Sequence, residues 1–240
     1  MAAIAALTSC KKDDTLKYNN LTMGNVVDGT FISDQGNIFT VVEYNCRGEL
    51  EKMERAIVLC DVLKKVAGTE NEYEVRVNDM AGVLVKDHIT KTEADADAEK
   101  SVQDPIYVDH PWISGGYINM FLQYETKSGS TKKHLVNLVL DEEELANGNY
   151  VFTLRHNSEG ESMVHGAENP VLGGSYVSFP ITGLIKEDRA EITIKWKWYK
   201  NMGYGWSSET QENSYKLSYT KGGYEQAPAA LASKATTNLN

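Results

Sequence analysis

No apolar run in this 240-residue chain approaches the roughly 20 residues that a membrane-spanning helix requires. Nothing after the extreme N-terminus is therefore expected to cross a bilayer as a helix. Cations are also scarce: 24 Lys and Arg stand against 34 Asp and Glu, a net charge of −10. Binding to a phosphate backbone needs a basic surface, so no nucleic-acid partner is expected and the acidity reads as solubility. Familiar catalytic spacings are missing too. The serines near Arg155-His156-Asn157 show no GxSxG elbow. The Asp141–Glu144 run lacks the spacing and glycine of a calcium loop. His88, His110, His134, His156 and His165 have no helical i,i+4 or CxxC-like spacing to suggest a metal site. No catalytic residue, metal ligand or cofactor is assigned, and the chain is not expected to be an enzyme.

What is present is enough apolar material for a real core, 41% hydrophobic residues against 24% charged. There are three cysteines, Cys10, Cys46 and Cys60. If residues 37–45 and 54–61 form a hairpin turning near Gly48, Cys46 sits by the turn and Cys60 far along the return strand. That separation exceeds disulfide reach, so Cys60 is expected to pack as a small buried hydrophobe. Cys10 closes the sequence MAAIAALTSC. Leu7-Thr8-Ser9-Cys10 fits a lipobox, an apolar residue and two small ones before a thiol that can carry lipid. The basic n-region of a signal peptide is absent from the nine residues before Cys10. Lys11-Lys12-Asp13-Asp14 follows, like the run that directs Bacteroidota lipoproteins to the outer face of the outer membrane, although a periplasm-facing anchor stays open. Lipidation of Cys10 would make the membrane a partner through the anchor, with residues 1–21 as signal remnant and tether.

The rest reads as strands. In residues 22–92 these are Val26–Ile32, Ile38–Tyr44, Ala56–Val62, Tyr73–Val77 and Gly82–Val85 with Ile89, rich in β-branched and aromatic residues. Leu59–Val66 could close with a helical turn. A short five-stranded unit removes its edges by closing on itself, as an OB-type barrel does. The acidic run Glu93–Lys100 has no apolar period and marks the border, so this domain is taken as residues 22–100. From Asp104 onward, strands recur at sandwich spacing: Ile106–Val108, Tyr117–Glu125, His134–Leu140, Tyr150–His156, Tyr176–Ile181, Glu191–Tyr199 and Tyr215–Tyr219. The expectation is an all-β chain, an N-terminal five-stranded OB-like barrel followed by a C-terminal antiparallel β-sandwich over residues 101–223. Residues 224–240 have no period and read as a flexible tail.

Alternation places Ile192, Ile194, Trp196 and Trp198 on the core face and Tyr199 on the other. Tyr199, Tyr204 and Trp206 then flank the Asn201–Gly205 turn as a candidate binding platform for glycan or protein; folding back onto the sheet is the alternative. Trp112 has two readings, a plug between barrel and sandwich or an ordinary core residue. His134 and His156 can face each other across adjacent strands, as satisfied structural histidines. Arg155-His156-Asn157 is expected to fix its turn by pairing with Glu159 or Glu161.

Several segments resemble the NigD-like proteins of Bacteroidota: RAIVLCDVLKK at 55–65, DPIYVDHPWISGGYIN at 104–119, HLVNLV at 134–139, LRHN at 154–157 and VSF at 177–179. In order, they span about residues 20–220. The resemblance implies an N-terminal OB-like domain, a C-terminal β-sandwich and a lipidated N-terminus, and carries over no catalytic residue. The residues favour a cell-envelope, surface-exposed lipoprotein acting as a non-catalytic binding or accessory module for glycan or protein. The family name adds the alternative of a bacteriocin-associated immunity protein.

Overall fold

The computed structural model describes residues 16–17, 22–200, 208–225 and 239. A short strand β1 (Leu16–Lys17) pairs with Val62 and Asp61. The barrel follows as β2 (Thr22–Val27), β3 (Thr30–Ser33), β4 (Ile38–Tyr44), β5 (Arg55–Lys65) and β6 (Glu72–Val85), in the order β5-β2-β3-β4-β6 and closed by a β5–β6 pairing. The expected single strand at Val26–Ile32 is instead a hairpin, turned at Asp28-Gly29 where both φ angles are positive. The strands on either side of Gly48 are not partners: β4 pairs with β3 and β6, β5 with β1, β2 and β6. Cys46 and Cys60 are free, and Cys60 is buried. No helical turn follows Leu59, because β5 stays paired with β6 as far as Lys65.

The apolar character of β5 on both faces has a direct cause. Ala56, Val58, Cys60 and Val62 fill the barrel with Phe31, Phe39, Val75 and Val77. Ile57 and the partly buried Leu59 point the other way, into the junction with the second module. β6 is shared as well. Its first part pairs with β4 and β5, and Val83–Val85 pair in parallel with Tyr176–Ser178 of the sandwich.

The sandwich comprises β7 (Ile89–Thr90), β8 (Tyr107–Ser114), β9 (Tyr117–Thr126), β10 (Leu135–Leu140), β11 (Tyr150–Asn157), β12 (Val171–Pro180), β13 (Arg189–Tyr199) and β14 (Thr210–Thr220). One sheet runs β6-β12-β9-β8 and the other β14-β13-β11-β10-β7. Between them pack Ile118, Met120, Leu122, Val136, Leu138, Phe152, Leu154, Ile192, Ile194, Trp196 and Trp198. β11 and β13 run parallel within this mainly antiparallel architecture. The border lies earlier in the chain than composition suggests. Ile89–Thr90 pair with Val139–Leu140 of the second module. Part of the acidic run forms helix α1 (Lys91–Asp95), with a Thr90/Glu93 capping box and Ala94 fully buried. Asp141 caps a second helix, α2 (Glu142–Ala146), with its carboxylate accepting from Glu143 N and Glu144 N. Near the C-terminus, Leu239 is bridged to His134 and buried in the sandwich core, unlike the flexible tail expected there.

Candidate functional site

Two polar clusters and one open surface hold the side chains with functional chemistry. The first cluster lies where β5 meets the sandwich. Arg55 is fully buried and donates from Nε to Ser178 Oγ (2.9 Å) and from Nη1 to Asn25 Oδ1 (2.9 Å) and Asp34 Oδ1 (2.8 Å). Its Nη2 donates to Asp34 Oδ2 (2.7 Å) and Asn119 Oδ1 (3.0 Å). The guanidinium lies 4.1 Å from the Tyr117 ring centroid, and Ser114 Oγ donates to the same Asp34 carboxylate. Residues of both modules thus satisfy one buried ion pair. Beside it Met23 and Ile57 of the barrel pack with Trp112, Phe121 and Tyr176. Of the two readings of Trp112, the plug between modules is the one observed.

The second cluster is built by the segment 104–106. The β11–β13 pairing stops at Thr153 and Lys195. Beyond it residues 104–106 wedge in, Asp104 N donating to His156 O and Ile106 N to Lys197 O. Asp104 Oδ2 accepts from Ser158 N and Ser158 Oγ, and its Oδ1 lies 2.8 Å from His165 Nε2. His134 and His156 do face each other, Nδ1 to Nε2, at 3.1 Å. His156 Nδ1 lies 3.0 Å from Pro105 O. A carbonyl only accepts, so Nδ1 of His156 carries the proton and its Nε2 accepts from His134. His134 Nε2 lies 3.4 Å from Glu161 Oε2. Burial, with His134 alongside, pushes His156 down to about 3, and burial lowers His134 too, against the pull of Glu161. Burial alone would raise Glu161, but donors from Ser130, Thr126 and the Lys127 backbone outweigh it and hold Glu161 at about 2. The cluster is a buried histidine pair, with His156 neutral, beside a carboxylate held by protein donors in place of water. Its serine, Ser158, has no exposure. Of the trio expected to fix the turn, Asn157 does so, its Oδ1 accepting from Glu159 N at 3.0 Å, whereas Arg155 Nη1 meets Asp95 of α1 at 2.8 Å and His134 stands beside Glu161.

Of the expected platform, Cys10 excluded, only Tyr199 is described; Cys10, Tyr204 and Trp206 lie outside the described residues. Tyr199 does not face solvent. It is 2% exposed, packs against Trp198, and donates a short hydrogen bond to the buried Glu125 carboxylate. At the end of β13 both Trp198 and Tyr199 thus join the sandwich core, the Tyr199 hydroxyl reaching Glu125 of β9.

The open surface is the outward face of the five-stranded sheet. Val151, Thr153 and Arg155 of β11, Thr193, Lys195 and Lys197 of β13, and Ser214 and Lys216 of β14 lie on it, opposite in alternation to the buried Phe152, Leu154, Ile194 and Trp196. A cavity of about 420 Å³ opens at one end, beside Tyr150, Glu187, Glu191, Thr193 and Lys216. One of about 170 Å³ opens at the other, lined by Lys91, Gln103, Thr153, Arg155 and Glu212 among others. Sequence reasoning missed this surface, although the alternation of lysines with tryptophans in β13 was its signal. Among the described residues no three His, Cys, Asp or Glu side chains converge as metal ligands, and no helix is long and apolar enough to cross a membrane.

The fold has counterparts among known proteins. A protein of unknown function, DUF1344, from Bacteroides vulgatus superposes with a TM-score of 0.60 at 18% identity, covering 90% of this chain and 99% of that one. A NigD-like immunity protein from Bacteroides caccae gives 0.58 at 17% identity, with coverage of 84% and 95%. A candidate lipoprotein from Bacteroides fragilis gives 0.58 at 18% identity, with coverage of 83% and 97%. At such identities the likeness speaks for the fold. No curated protein matches the chain. Residues 88–211 match the model of the NigD-like C-terminal beta sandwich domain, and its start at residue 88 coincides with β7. The match spans more than half of the sequence, and the chain belongs to the NigD-like family.

Proposed function

We propose that this protein is a lipid-anchored protein of the cell envelope, exposed at the outer surface, that works as a non-catalytic binding or accessory module for a protein or glycan. The observation that carries the reading is the contrast between its interior and its open sheet. Asp104, His134, His156, Ser158 and Glu161 of the second cluster are each at most 6% exposed and bonded within the fold, and the half-exposed His165 at its rim is held by Asp104. Catalysis needs such groups in reach of a substrate. Two accessible cavities instead open at the ends of a sheet face of hydroxyls and lysines. The lipobox ending at Cys10 supports the anchor, as does the candidate lipoprotein among the structural neighbours.

Two measurements test this. A fatty-acid probe fed to cells should label the wild type and spare Cys10→Ser; equal labelling removes the anchor. A photoreactive residue in place of Lys195 should crosslink to an envelope component in cells where the same residue in place of Lys64 on the barrel does not. Equal yields at both positions would remove the binding face. An immunity role is the second reading, favoured by the name of the Bacteroides caccae structure. It requires that expression of the chain protect a bacteriocin-sensitive strain.

A further inference from the structure

We propose that the outward face of the five-stranded sheet takes an extended acidic segment of a protein partner, laid along β13 with one carboxylate at Arg155. This rests on the binding-module reading and narrows its partner class. Lys195 and Lys197 sit half-buried in the middle of the sheet, and among the described residues neither ammonium has a hydrogen-bond or ion-pair partner. Arg155 lines the smaller cavity beside them. Its side chain is 7% exposed, and one amine is held by Asp95, yet its buried Nε donor has no partner. A buried donor without an acceptor costs stability unless a ligand or water fills it.

The chain as a whole carries −10, so its overall field repels anions. This face runs against that field. Arg155, Lys195, Lys197 and Lys216 stand against Asp95, Glu191 and Glu212; Asp95 is engaged by Arg155 at 2.8 Å and Glu191 by Lys216 at 2.6 Å, which leaves Lys195 and Lys197 against Glu212. An anion held here is held by local charges. The spacing suits a peptide: Lys195 and Lys197 are alternate residues of one strand, about 6.8 Å apart, the repeat at which an extended peptide presents side chains on one side. Sugars are commonly gripped by ring stacking on aromatic faces, and the positions facing out on β11 and β13 between Val151 and Lys197 are valine, threonine, arginine and lysine.

The test is fluorescence anisotropy of a labelled synthetic peptide of alternating glutamate and serine against the full chain. Binding is expected, weakening with salt. Lys195→Glu and Lys197→Glu should each reduce affinity about tenfold or more, the scale of a charge contact at an interface, with the thermal midpoint unchanged. Lys64→Glu on the barrel should change little. Absence of binding overturns the proposal, as does an equal loss with Lys64→Glu. Competition by polygalacturonate at equal carboxylate concentration, as effective as the peptide, also overturns it, in favour of an acidic glycan. Crosslinking at position 195 in cells separates the two levels. If it succeeds while the peptide fails, the acidic-segment proposal falls and the binding module stands.

Discussion

His156 donates to Pro105 O and accepts from His134, an arrangement that satisfies the His156 ring in its neutral form. Its folded pKa of about 3 lies below the ordinary value of 6.5. The unfolded chain therefore takes up a proton first as pH falls, and the stability this group contributes is lost between pH 6.5 and 3. The shift corresponds to an upper bound of about 5 kcal/mol. His134 is shifted in the same direction. Glu161, held at about 2 against an ordinary 4.5, adds its own loss below pH 4.5. Urea unfolding at pH 7.5 and pH 4.8 should show a marked fall in stability for the wild type and a much smaller fall for His156→Gln. An equal fall in both would assign the acid sensitivity elsewhere. The pairing of His134 with His156 was legible because the strands bearing them are adjacent in sequence. Glu161 is legible only as a partner for the Arg155-His156-Asn157 trio; it meets His134, the neighbour of His156, while Arg155 alternates to the opposite face of β11 and meets α1 there.

At the scale of elements, strand positions were legible wherever apolar residues alternate between turns, as in β9, β11 and β13. Two elements were not. β6 reads as two strands because Asn78-Asp79 resembles a turn, but the ladder to β5 absorbs the irregularity with a register shift at Leu59/Cys60. The helix α1 was hidden by its acidic composition; its capping box was there to be read at Thr90 and Glu93. The β8–β9 turn is better defined. Gly115 and Gly116 both have positive φ, +61° and +84°, as a two-residue hairpin turn requires. A Cβ on Gly115 would also intrude on the Asp34 carboxylate. Gly115→Ala therefore strains the turn and disturbs the Arg55–Asp34 pair together. It should destabilise by about 2 kcal/mol or more, while Gly183→Ala, which meets open space but also needs positive φ, should cost less. Chemical denaturation of the two variants compares them, and equal losses would show that backbone conformation alone decides.

For the whole molecule, the question is whether barrel and sandwich unfold as one. The sequence divides them, yet the chain joins them three ways: β6 belongs to both, Trp112 fills the space between, and Arg55 ties Asn25 and Asp34 to Asn119 and Ser178. Composition could not reveal this joint, because an arginine at the start of an apolar strand reads as a solvated end. Removing one partner of a buried pair costs about 3–5 kcal/mol, since the other charge is left without compensation. Arg55→Met should accordingly lower stability on that scale by leaving Asp34 buried and unpaired. The effect should fall on the coupling, because Arg55 sits between the two cores and outside both. Calorimetry of the wild type should show one transition, and of Arg55→Met two, with the barrel melting first because its core is the smaller. Asp34→Asn in the Arg55→Met background should recover part of the loss by removing the orphaned charge. A single transition retained in Arg55→Met, shifted by less than about 1 kcal/mol, would mean that β6 and Trp112 couple the modules without the ion pair.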